Sequence, residues 1–353
     1  MKEQTAETMM ERTKKLIRNG DFQREHAANP QRDFIRRRKL GFPETMIYVL
    51  GNCRESMELN AEKFAEAAKL KSVSAAALRK ARAKIGWEAF REIFEECAAL
   101  PPVGKLYQGY ELIAVDGMKG ELPNLPTLKE TYPVNARQSY PMFRAMSAYD
   151  PLNEIFPAAS FQAAPADERE MAMELLNAEN VKERKAIWLF DRGFPSVALI
   201  QKLERMGARF VMRVSADFLT EASDFARSGA VDKLLRVERD ENRRKGNKIK
   251  AETPYAFEIR CVRIRLKSGE EEFLITNLPR KEFPKRKIKE LYNFRRGVES
   301  SYNYLKNAVF IEEFTSKKEN GIKQDFYASL WAANLTNAAI ADAMPPTVKK
   351  TEG

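Results

Sequence analysis

The sequence predicts an α/β protein in which a helical N-terminal region precedes a strand-containing core, and a mainly β segment interrupts that core. Three observations carry this expectation. Residues 1–104 read as helical, short apolar runs alternate with amphipathic stretches from Tyr110 onward, and the segment between Val214 and Lys285 contains period-2 alternation. The 353 residues exceed one ordinary core, and 44% hydrophobic with 31% charged residues describes two or three globular domains rather than disorder.

Composition narrows the function classes. A formal net charge of +11 and a pI near 9.4 favour a polyanionic partner, nucleic acid or an acidic membrane surface. No apolar run approaches the ~18 residues needed to span a bilayer, and the start, MKEQTAETMMERTKKLIRNG, lacks a signal-peptide apolar core. The expected setting is therefore the cytoplasm, close to nucleic acid. Cys53, Cys97 and Cys261 have no CxxC partner, so neither a zinc ribbon nor a disulfide framework is indicated. With His26 the only histidine, in the polar stretch DFQREHAANP and expected at the surface, triads and His-rich metal sites are excluded. Carboxylates remain as catalytic ligands.

Within residues 1–104 the helical segments are DFIRRRKLGF at 33–42, PETMIYVLGN, MELNAEKFAEAAKL and SVSAAALRKARAKIGWEAFREIFEECAAL, ending at Pro101-Pro102. Ser74 is the expected N-cap of AAALRKARAKIG, whose small apolar residues should pack inward while Arg79, Lys80, Arg82 and Lys84 project outward. That basic face suits docking on DNA, and equally a solvated surface.

From Tyr110, YELIAVD reads as a core strand ending at Asp116-Gly117. Strand-like runs follow around TYPVNARQS and PMFRAMSAYD, then the amphipathic helix ADEREMAMELLNAENVKER, then the buried strand KAIWLFDRGF, which breaks at Asp191. PSVALIQKLERMG, with Pro195 in its first turn, leads to a last strand, RFVMRVS at 209–215. If the strands ending in Asp116 and Asp191 are parallel neighbours, both carboxylates meet at one sheet edge, where α/β proteins bind ligands. In the interrupting segment, FEIRCVRIRL alternates to give one apolar and one basic face, the latter facing solvent or DNA.

The stretch from Arg280 to Lys306 holds nine Lys or Arg against three Glu. On the helix expected from Ile288 to Phe310, Tyr292, Arg295, Glu299 and Lys306 are spaced Y-x2-R-x3-E-x6-K. At about 100° per residue they share an arc of about 60°, with Arg296 about 100° away from Arg295. Such a face combines a metal-binding carboxylate with phosphate-binding cations. The final apolar helix, DFYASLWAANLTNAAIADAM, is expected to pack against the core through Trp331.

With Asp116 ending a first strand, Asp191 in WLFDRGF and Glu299 within the Tyr-Arg-Glu-Lys helix, the chain resembles a DDE transposase, and more narrowly the insertion-sequence-four family. The resemblance runs from about Phe34 to Asn337. It implies an N-terminal helical DNA-binding domain over 1–104 and a ribonuclease H-like catalytic core whose first part covers 105–215. A β-rich insertion follows over 216–285, and the core's C-terminal helices cover 286–345. The insertion accounts for the 108 residues separating Asp191 from Glu299, against 75 separating Asp116 from Asp191.

The resemblance also implies that Asp116, Asp191 and Glu299 are the catalytic and metal-binding residues, holding two Mg2+ ions about 3.5–4 Å apart, with Mn2+ able to substitute. Tyr292, Arg295 and Lys306 would bind the DNA of the element's ends, and Arg79, Lys80, Arg82 and Lys84 would belong to the N-terminal DNA-binding region. The activity implied is Mg2+-dependent strand cleavage and strand transfer at inverted-repeat ends. The partners are double-stranded DNA, as element ends and target, and a second copy of the chain.

Some relatives cleave through a DNA hairpin and stack a flipped base on a tryptophan of the insertion. Here the tryptophans are Trp87, Trp188 and Trp331, all outside it, leaving Tyr255, Phe257 or Phe273 for that place. The rival reading is a catalytically inactive DNA-binding derivative, which loss of a carboxylate would mark; all three are present. A nuclease acting on RNA–DNA hybrids would not need the phosphate-gripping cations, and a tyrosine recombinase needs more than His26.

Overall fold

The computed structural model describes residues 5–36, 38–51, 57–100, 105–134, 139–177, 184–239, 252–266, 268–295 and 314–343. The N-terminal helices are α1 (Ala6–Ile17), α2 (Gly20–His26), α3 (Phe42–Leu50), α4 (Met57–Ala67), α5 (Ala75–Arg82) and α6 (Glu88–Ala98). β1 (Glu111–Glu121), α7 (Pro126–Thr131), β2 (Met142–Asp150), β3 (Ile155–Ala163), α8 (Glu168–Leu175), β4 (Ala186–Phe190), α9 (Val197–Arg205) and β5 (Arg209–Val214) follow. Then come α10 (Thr220–Arg227), β6 (Asp232–Arg239), β7 (Tyr255–Arg265), β8 (Glu271–Thr276), the helical residues 285–295 (α11) and α12 (Glu319–Ala343).

All eight strands among the described residues form one sheet, in the order β3-β2-β1-β4-β5-β8-β7-β6. β1, β2 and β3 are antiparallel, while β4 runs parallel to both β1 and β5. Residues 112–115 of β1 and all of β4 are buried, the continuous apolar pattern of strands covered on both faces. Period 2 then sorts β1: Ile113 and Val115 join the core beneath α8 and α9, whereas Leu112, Ala114 and Met118 face the core shared with α6, α12 and the N-terminal helices.

The inserted strands do not make a separate sheet. β8 pairs antiparallel with β5, and β7 and β6 extend the same ladder outward. Nor does the N-terminal region keep a core of its own, because α12 packs on α6, α3 and α1 within one apolar cluster. Trp331 is 6% exposed there, and its indole N–H donates to Thr13 Oγ1 at 3.1 Å. Ser74 caps α5 as expected, accepting from the Ala77 N–H at 3.2 Å.

Several local expectations are corrected. DFIRRRKLGF is not helical where described before Phe42, the first residue of α3: Phe34 has φ 60°, off the α-helical region, and its ring packs edge-on against Phe42 at 5.5 Å. TYPVNARQS is no strand where described; the third strand is instead Ile155–Ala163. Pro157 hides this strand from a sequence reading, yet is tolerated because β3 is the sheet edge. The Phe156 backbone there is satisfied by the Asn334 side chain of α12, which accepts at 2.8 Å and donates at 2.9 Å, covering the edge. Pro195 precedes the Ser196 cap of α9 rather than lying in its first turn. His26 is buried, with Nε2 2.9 Å from Glu92 Oε2 and its ring against Phe22. No helix among the described residues is long and apolar enough to cross a membrane.

Candidate active site

Parallel pairing puts Val115 of β1 level with Phe190 of β4, so the next residues, Asp116 and Asp191, stand side by side. Asp191 lies just past the C-terminal end of β4, whereas Asp116 sits midway along β1, which does not end at Asp116-Gly117 as expected but runs on to Glu121 paired with β2. Asp116 shares its face with Leu112 and Ala114, which points it toward α11. Asp191 opens the DRGF turn, which closes with the Phe194 N–H on the Asp191 carbonyl at 3.2 Å. Buried Phe194 anchors that turn from below, and Arg169 donates to the Gly193 carbonyl at 3.1 Å.

α11 completes the site. Ile288 and Leu291 bury its apolar side and bring Tyr292 and Arg295, one turn apart, over the two aspartates. The Tyr292 hydroxyl donates to Asp191 Oδ1 at 3.1 Å. One guanidinium nitrogen of Arg295 lies 3.2 Å from Asp116 Oδ1 and 3.5 Å from Asp191 Oδ2. The sequence thus predicted these four residues as neighbours, but with Arg295 and Tyr292 reserved for DNA; here both hold the carboxylates. Glu299 and Lys306, with Arg296, lie outside the described residues.

Two further residues went unnoticed in the sequence. Arg213 of β5 places Nε 3.0 Å from Asp191 Oδ1 and a terminal nitrogen 3.0 Å from Glu272 Oε1 of β8. An Arg on one strand and a Glu 59 residues later share no short spacing, and only the β5–β8 pairing joins them.

Burial would raise the Asp191 pKa, but the Arg192 backbone N–H, the charges of Arg295 and Arg213 and the Tyr292 hydroxyl outweigh it, holding the carboxyl below its ordinary value. Burial, reinforced by the Asp191 charge, pushes the Tyr292 phenol up, so Tyr292 is a neutral donor. Burial lowers Arg213, and the nearby Tyr292, Asp191 and Glu272 more than reverse that.

The donor set fits a divalent cation. Both aspartates present hard oxygen ligands, and those oxygens already converge on a single cationic nitrogen. Among the described residues, one group of three metal-ligand types within 4.8 Å occurs elsewhere, at Glu25, His26 and Glu92.

The expected DNA-binding face of α5 is partly corrected. Arg79 and Lys80 are exposed, and Lys84 pairs with Asp33 at 3.0 Å. Arg82 points inward at 6% exposure, bound to Asp325, Gln324, Thr315 and the Gly321 carbonyl. Lys80 and Lys84 instead share a cleft of about 730 Å³ with Arg32, Arg36, Arg38 and Lys39. The second wall escaped notice because its segment reads as a helix.

The basic face expected of β7 does not form either. Arg260 is buried against Asp232 and the Phe283 carbonyl, while Arg263 donates to the Phe225 and Ala226 carbonyls at the end of α10. Register puts Asp191 level with Val262, three strands across the sheet, and Tyr255 and Phe257 lie roughly a further 23 and 17 Å along β7, at about 3.3 Å per residue. Phe273 packs with Phe225 on the sheet face opposite Asp116.

A protein-family model described as the transposase DDE domain matches residues 107–335, which include Asp116, Asp191, Arg213, Glu272, Tyr292 and Arg295. Curated protein sequences give no match. Among solved structures, the chain is similar in fold to a piggyBac transposase synaptic complex with hairpin DNA. The TM-score is 0.52 and the identity 11%, covering 95% of this chain and 75% of that one.

Proposed function

The chain belongs to the family of transposase DDE domains, and from that premise we propose that it is a DNA transposase of the insertion-sequence-four type. In this reading it binds the inverted-repeat ends of its element, cuts the flanking strands and joins the freed 3′ ends to target DNA. The observation that carries it is the Arg295 nitrogen 3.2 Å from Asp116 and 3.5 Å from Asp191, which marks a point where two carboxylates from neighbouring strands converge. The order β3-β2-β1-β4-β5, antiparallel then parallel, supports reading this half of the sheet as a ribonuclease H-like core.

Asp116, Asp191 and Glu299 would hold two Mg2+ ions. When bound, these ions activate the attacking hydroxyl and stabilise the leaving oxygen of an in-line displacement. The chain's own residues prepare that chemistry. Asp191 stays ionised, and Tyr292, kept neutral by burial, fixes its orientation. Arg295 stands between the carboxylates, ready to exchange them for a DNA phosphate, and Lys306 would add a second phosphate contact. Arg79, Lys80 and Lys84 would grip the ends further out. Joining two ends calls for at least a dimer on DNA, and the DNA held by the piggyBac transposase supports a DNA partner.

The test uses purified protein, duplexes ending in the element's terminal repeats, and Mg2+. Nicking and strand joining are expected from wild type and not from Asp191→Ala. Wild type no better than that variant overturns the enzyme reading and leaves a DNA-binding derivative.

A further inference from the structure

One row of charged side chains crosses the sheet beneath α11. Asp116 of β1 and Asp191 after β4 come first, then Arg213 of β5, then Glu272 of β8. Arg213 is level with Leu274, and Glu272 lies two residues from Leu274 on the same face. The pair is therefore a diagonal cross-strand contact within reach of long side chains. The Glu272 side chain is only 10% exposed and faces the guanidinium 3.0 Å away. The geometry raises a question of competition. Arg213 and the Tyr292 hydroxyl both use Asp191 Oδ1, an oxygen that a divalent cation also needs.

We propose that Glu272 is a positioning residue that holds Arg213 by its other end, so that Asp191 can release the guanidinium and take a divalent cation. This rests on the two-metal reading above. A guanidinium paired only with Asp191 would be left half-buried without a counter-charge whenever a cation displaced it, and would resist displacement. A guanidinium already shared with Glu272 keeps a counter-charge after release, and the cost of freeing the Asp191 oxygen falls. The inserted segment, through β8, thereby contributes to the readiness of the site. Glu272 acts through Arg213 and needs no contact with DNA or with the ions.

The test is a double-mutant cycle read by Mn2+ binding to the full chain, with free Mn2+ followed by electron paramagnetic resonance and folding checked by thermal melting. Glu272→Gln is expected to weaken Mn2+ binding about 3- to 10-fold, toward the lower end of what coupled neighbouring residues show. Arg213→Gln is expected to bind at least as tightly as wild type, and adding Glu272→Gln to it should change nothing. Wild-type affinity in Glu272→Gln overturns the proposal. So does an equal loss in the Arg213→Gln background, which would mark plain through-space attraction between Glu272 and the ion. Should Glu272→Gln fail to fold, Arg213→Gln decides alone, and weaker Mn2+ binding than wild type overturns the idea. Wild type whose Mn2+ binding Asp191→Asn leaves intact overturns the two-metal reading itself, a separate outcome.

Discussion

Replacing Arg82 by Ala should unfold this protein more readily than any change on the outer face of α5. The guanidinium donates to Gln324 Oε1 at 2.6 Å, Thr315 Oγ1 at 2.7 Å and Asp325 Oδ1 at 2.7 Å, and also to the Gly321 carbonyl. Its side chain is 7% exposed and that of Asp325 2%. Truncation leaves a carboxylate buried with its cation removed, although the Thr315 N–H still donates to it at 2.8 Å. Breaking a buried pair in this way costs about 3–5 kcal/mol, a large share of the roughly 5–15 kcal/mol that holds a domain together. Lys80→Ala, at an exposed position of the same helix, should stay within about 0.5 kcal/mol of wild type. Urea denaturation of the two variants measures the difference, and fluorescence anisotropy of a labelled duplex at several salt concentrations measures DNA binding. Arg82→Ala should lose stability while its folded fraction keeps the wild-type salt slope. A loss under about 1 kcal/mol with a shallower slope would refute the inward assignment and return Arg82 to the DNA-binding face.

The cleft beside α5 should behave in the opposite manner: Arg36→Ala and Lys80→Ala are each expected to lower the salt slope of duplex binding by about one unit with little change in stability, and unchanged slopes would remove that residue from the phosphate contacts. Asp150 carries a pH prediction. Burial at the end of β2 raises its carboxyl from 3.8 to about 6, against the lowering effect of hydrogen bonds from Asn153 and Leu152. The native state then holds the proton more tightly than the unfolded chain. Its stabilisation is full below about pH 4 and is lost as pH rises through 6, a swing of about 3 kcal/mol. Asp150→Asn should remove that dependence, so denaturation at pH 4.5 and 7.5 should show the variant gaining on wild type at the higher pH; a constant difference contradicts the assignment.

How much of this was legible beforehand depends on the range of the forces involved. YELIAVD and WLFD announce buried strands because an apolar run broken by Asp is a local pattern. The spacing of Tyr292 and Arg295 fixes a shared helix face because helical geometry is local too. Arg213 and Glu272 were illegible, since neither has a local partner and the β5–β8 ladder alone sets them together. Arg82 was misread because its charge was equated with exposure: four residues after Leu78, the helical period of α5 places it on the buried side, and only the tertiary structure supplies what pairs with it there. Asp325, more than 240 residues later, covers it. Arg260 and Arg263 were misread because, three residues apart on one strand, they lie on opposite faces, and each face is covered, one at the Phe283 carbonyl and the other at the end of α10.

The sequence by itself therefore determined the apolar strands that carry Asp116 and lead into Asp191, the helix face that carries Tyr292 and Arg295, and the basic charge of the whole. Tertiary structure decided that β4 lies parallel beside β1 and that the inserted strands join the core sheet. It also decided that α12 closes over the N-terminal helices, turning some arginines inward and leaving others in a cleft. The division has one physical cause. Backbone periodicity is set within a few residues, while the burial of a charge depends on which distant surface finally covers it.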